Sequence, residues 1–144
     1  MSEFVRSAVL SDDTVRGIEL LAQSLQRPCF VVDLGGCVDK AGLLERTASA
    51  LAFPDWFGQN WDAWFDCLVD LGWQPRAQGY VIVLRRVADL RAALPEALDT
   101  ALSILGDAAT VGSERGVELR VFVEAGQGES GGAGTREGSP VSCQ

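Results

Sequence analysis

Three short apolar runs, separated by stretches of helix length, limit this chain to very few folds. CFVVDL at residues 29–34, YVIVLRR at 80–86 and VELRVFVE at 117–124 are rich in β-branched and aromatic residues and read as strands. The first two are apolar almost throughout, as suits strands covered on both faces. The segments between them carry helix signals. Asp12 or Asp13 caps a helix through about Gln26, where Val15, Ile18, Ala22 and Leu25 recur at helical spacing and Pro28 ends it. Gly35 and Gly36 close the first run, and Asp39 offers an N-cap for a helix to about Leu51. Pro54 opens a loop over residues 55–59. ADLRAAL follows the second run as a short helix, and Pro95, at an N1 position, starts another to about Leu105. Helices between strands imply right-handed crossovers and therefore parallel strands. The expected fold is α/β, a small three-stranded parallel sheet packed with about four to five helices. Residues 1–28 read as a helical extension, 29–124 as the domain, and 125–144, rich in glycine and serine, as a disordered tail.

Residues 51–73, LAFPDWFGQNWDAWFDCLVDLGW, hold the chemistry. Asn60 is an N-cap residue, and Gly72 stands where a left-handed residue ends a helix. Trp61, Trp64, Leu68 and Leu71 fall in one stripe roughly 80° wide, the core face. Asp62, Asp66 and Asp70 step by four on the opposite side. Like charges at that spacing repel, and residues 47–75 contain no lysine or arginine to offset them. Asp70 also sits in the last turn, where the helix dipole disfavours an anion. A helix selected for stability alone would mix its charges, so this ridge is shaped for a cationic partner. Trp56, Phe57, Phe65 and Trp73 flank it, as aromatic anchors flank charges in protein interfaces.

Charge and composition agree with that reading. A formal net charge of −8 is unsuited to phosphate backbones and suited to a basic protein, so no nucleic-acid partner is expected. There is no histidine, the commonest general base and neutral metal ligand, and no catalytic residue, metal site or cofactor is expected. Cys29, Cys37, Cys67 and Cys143 lack metal-ligand or scaffold spacing, and no apolar run spans a bilayer. Free thiols in the cytoplasm, with no membrane contact, are the expectation.

The run Leu51, Ala52, Pro54, Trp56, Phe57, Gly58, Asn60, Asp62, Ala63, Phe65, Asp66, Cys67, Leu68, Gly72 and Trp73 resembles the barstar family of bacterial ribonuclease inhibitors. The looser resemblance extends over about Cys29 to Val123. It implies a three-stranded parallel sheet with helices and an intracellular inhibitor that binds a basic, secreted, guanyl-type ribonuclease one to one. It also assigns roles. The position of Asp66 enters the pocket for the substrate phosphate, and that of Asp62 makes a second charge contact. The positions of Trp56, Phe57, Gly58, Asn60, Trp61, Phe65, Gly72 and Trp73 complete the interface. Trp56 stands where the family usually has tyrosine, Gln59 where an acid is common, and Phe65 where tryptophan is.

Two other readings compete. An enzyme using Asp62 and Asp66 as paired carboxylates would need one buried and one solvated group, a contrast that two rungs of one ridge do not supply. An interaction or immunity module of the same fold that binds a different basic protein or toxin remains open on sequence grounds.

Overall fold

The computed structural model describes residues 4–53, 60–69 and 79–125. Along the chain these form β1 (Val5–Ala8), α1 (Asp12–Ser24), β2 (Cys29–Asp33), α2 (Lys40–Leu51), α3 (Trp61–Val69), β3 (Gly79–Arg85), α4 (Ala88–Ala93), α5 (Pro95–Glu114) and β4 (Glu118–Glu124). The strands make one parallel sheet in the order β1-β4-β3-β2. Its class is the one expected, with four strands rather than three. The fourth is β1, which pairs with β4 in the register Val5↔Val121 to Ala8↔Glu124. Four residues of mixed character, VRSA, carry no strand signal of their own. Pairing to an inner strand makes them one.

Alternation divides the sheet into two faces. Tyr80, Ile82 and Leu84 of β3 point into the main core, where they meet side chains of α2, α3, α4 and α5. Val81 and Val83 point the other way and pack with Leu10, Val15 and Ala22, so among the described helices α1 serves the second face. The double coverage explains why β3 is buried from Gly79 to Leu84. β4 instead alternates buried and half-buried residues.

Local signals fix most boundaries. Ser11, one residue ahead of the expected caps, starts α1: its side chain accepts from Thr14 N–H at 3.1 Å. Asp12 and Asp13 follow in the first turn, where the dipole favours them. Asp39 caps α2 by accepting from Gly42 N–H at 2.8 Å. Ala52 ends that helix in the left-handed region at φ 57°, and Phe53 N–H returns to Ala48 O at 2.9 Å. α5 runs nine residues past Leu105, because Gly106, Ala108 and Ala109 are buried against the core and packing extends the helix. At the ends of β2 and β3, Asp33 accepts from Gly35 N–H and from Arg86 Nε, at 2.9 and 2.8 Å.

Cys29 and Cys37 are free thiols, and burial, with Glu19 adding to it, raises the Cys29 pKa to about 11. Among the described residues, no helix is long and apolar enough to cross a membrane. The glycine- and serine-rich tail, from Gly126, and Cys143 within it lie outside the described residues.

Candidate interaction surface

Asn60 initiates α3. Its side-chain oxygen accepts from Ala63 N–H at 2.8 Å, and its carbonyl accepts from Trp64 N–H at 2.9 Å. Such a cap satisfies one of the first-turn donors and aligns the helix from its first residue. The nine residues that follow, WDAWFDCLV, divide cleanly by exposure. Trp64, Cys67 and Leu68 are buried, on the side that packs against α5. Trp61, Phe65 and Val69 are half-buried and rest on the rim of the same core. Asp62 and Asp66 are exposed. Four positions apart, they occupy adjacent turns of one helical face. A rigid, solvent-facing pair of carboxylates results, backed by an apolar wall.

The wall has its own order. The Trp61 and Trp64 rings meet edge to face, 5.5 Å apart at 68°, a favourable arrangement for two aromatic quadrupoles. Trp64 fills the core at 1% exposure, yet its indole N–H has no hydrogen-bond partner among the described residues. An unpaired buried donor costs about 1–3 kcal/mol. The apolar area of the ring outweighs that cost, as aromatic residues bury 150–250 Å² each, roughly 4–6 kcal/mol at 25 cal/mol per Å².

The structure also brings to this surface a residue that the sequence did not flag. Lys40, at the start of α2, places its Nζ 5.3 Å from the centroid of the Trp61 ring. No spacing rule links residues 40 and 61; the contact arises because the starts of α2 and α3 lie near each other. The cation steadies Trp61 from outside and borders the carboxylate ridge at its N-terminal end.

Of the expected interface residues, the structure places Asn60, Trp61, Asp62, Phe65 and Asp66 together on α3 and its cap. Trp56, Phe57, Gly58, Gly72 and Trp73 lie outside the described residues, as does Asp70. Among the described residues, no three His, Cys, Asp or Glu side chains gather to hold a metal ion.

A family model described as Barstar (barnase inhibitor) matches residues 27–124, about two thirds of the chain and all of it from β2 to the end of β4. No curated protein matches the chain.

Proposed function

From the premise that this chain belongs to the Barstar (barnase inhibitor) family, we propose that it silences a secreted, basic, guanyl-type ribonuclease inside the cell by seating the Asp62–Asp66 face of α3 in the enzyme's phosphate-binding cleft. Members of such a family are inhibitors and not enzymes, and the family implies a barnase-like ribonuclease as the partner. The observation that carries the finer reading is the division of α3: Asp62 and Asp66 are exposed while Trp64, Cys67 and Leu68 are buried behind them.

The chemistry follows from the target. A ribonuclease cleft is cationic because it must bind a phosphodiester and stabilise the charge that develops on it. Carboxylates one helical turn apart present oxygens that arginine side chains can grip with charge-assisted hydrogen bonds, as they grip phosphate. The helix is ordered before binding, so little conformational entropy is lost on contact. In this reading Asp66 takes the phosphate position and Asp62 makes the second charge contact. Trp56, Phe57, Gly58, Asn60, Trp61, Phe65, Gly72 and Trp73 close the rim against water, which strengthens each charge contact. The complex is a one-to-one heterodimer formed in the cytoplasm, before the enzyme is exported.

The test is a titration of the purified protein against a panel of guanyl-type ribonucleases, scored by RNA cleavage and by calorimetry. Inhibition of at least one of them is expected at sub-micromolar concentration. Asp66→Ala should weaken binding by about 2–5 kcal/mol, the usual cost of leaving a desolvated cation unpaired, a figure whose best-known instance is this family's founding pair. Equal binding by wild type and Asp66→Ala would refute insertion of that side chain, and no inhibition across the panel would refute the target.

A further inference from the structure

The face of the sheet opposite α3 holds a groove of about 400 Å³ between α1 and the β1–β4 edge. Ile18 and Leu21 of α1, with Leu25 just past its end, form one wall, and Val81 and Phe122 form part of its floor. Leu21 and Leu25 lie one helical turn apart and are 62% and 55% exposed, so two large side chains beside the groove remain uncovered. Three arginines, Arg6, Arg27 and Arg120, also line it. Arg27 and Arg120 share the one carboxylate of Glu118, and the pair holds that carboxylate below the usual range. Arg120 also lies over the Phe4 ring, 5.3 Å from its centroid. Arg6 is exposed and has no ion-pair partner among the described residues. Three guanidiniums against one carboxylate make this a cationic spot on a chain whose net charge is −8.

We propose that this groove is a binding site for a free amphiphilic anion, an unbranched alkyl chain ending in a single carboxylate, with the chain along α1 and the head group on Arg6. The apolar walls select the chain, and the unshared guanidinium selects the charge. The volume lies in the range of small-molecule sites, which runs from about 300 to 1,000 Å³. A protein partner would need a surface nearer 1,000 Å² in total, far more than such a groove offers. A second copy of the chain fits poorly, because a two-fold contact sets the same patch against itself and doubles its positive charge. The site is independent of ribonuclease inhibition, since it lies behind the sheet from α3.

Calorimetric titration of the full chain with decanoate, decanol and anionic phospholipid vesicles tests the proposal. Decanoate should bind as a monomer, below its micelle-forming concentration, and about tenfold more tightly than decanol, the discrimination expected of one charge-assisted hydrogen bond. Arg6→Ala should remove that preference without changing decanol binding, and Arg6→Lys should restore part of it. Leu25→Asp, at an exposed position, should abolish binding of both ligands while keeping the wild-type melting temperature and ribonuclease inhibition. Equal affinity for decanoate and decanol, unchanged binding in Leu25→Asp, or binding to vesicles with none to monomeric decanoate would each overturn it.

Discussion

A single carboxylate at the end of β2 ties two loops together. Asp33 accepts from Gly35 N–H and from the Arg86 guanidinium, and these contacts, Arg86 first, lower its pKa from the ordinary 3.8 to about 2. The sign of the linkage follows. A depressed pKa in the folded state adds stability above the unfolded value, and that stability disappears as pH falls from about 4 to about 2. Asp33→Asn should therefore be less stable than wild type at neutral pH, with the difference vanishing near pH 2. Both side chains are more than half exposed, so the gap is small, and urea unfolding at several pH values measures it. A difference that persists at pH 2 would mean the carboxylate's charge is not what matters. At this scale the sequence is uneven. Asp62 and Asp66 were legible as an exposed pair because helical spacing alone sets their side. Lys40 over Trp61 was not, since that contact depends on which elements meet in space.

Helix α3 shows a conflict between an element's own stability and its task. Its two described acids repel at i, i+4, and only Asp62, in the first turn, is favoured by the dipole. Asp66→Asn should accordingly raise the melting temperature of the free protein by about 1–2 °C, from a few tenths of a kcal/mol. The same variant should bind the ribonuclease more weakly. Differential scanning calorimetry decides the first half, and a lower melting temperature would show that Asp66 has a stabilising partner within the chain. Element by element, the strands and helices with strong local signals matched their expected places to within a residue or two. The exceptions have physical causes. α5 outran its weak helix formers Thr110, Val111, Gly112 and Ser113 because burial of the residues before them carries the helix on. β1 became a strand through pairing alone.

At the scale of the whole molecule, charge acts over distances no single contact reaches. A net charge of −8 gives an acidic protein a long-range pull on a basic enzyme. The association rate with the cognate ribonuclease should fall by at least about tenfold between roughly 10 and 150 mM salt, as the screening length shrinks from about 30 to 8 Å. Dissociation should change little. Stopped-flow fluorescence separates the two, and a salt-independent association rate would remove steering from the account. The groove behind the sheet could not be read from the chain, because its walls come from residues 18–25, 81 and 122, joined only by the fold. The strand order has a last consequence for how the protein comes into being. Among the described strands β4 is the last to be synthesised, yet it is an inner one, with β1 on one side and β3 on the other. Until residue 124 has emerged from the ribosome, the first strand has no neighbour, and its contacts span more than a hundred residues of chain, the kind of closure that slows folding. The sheet that supports α3 is thus completed only after β4 has been made.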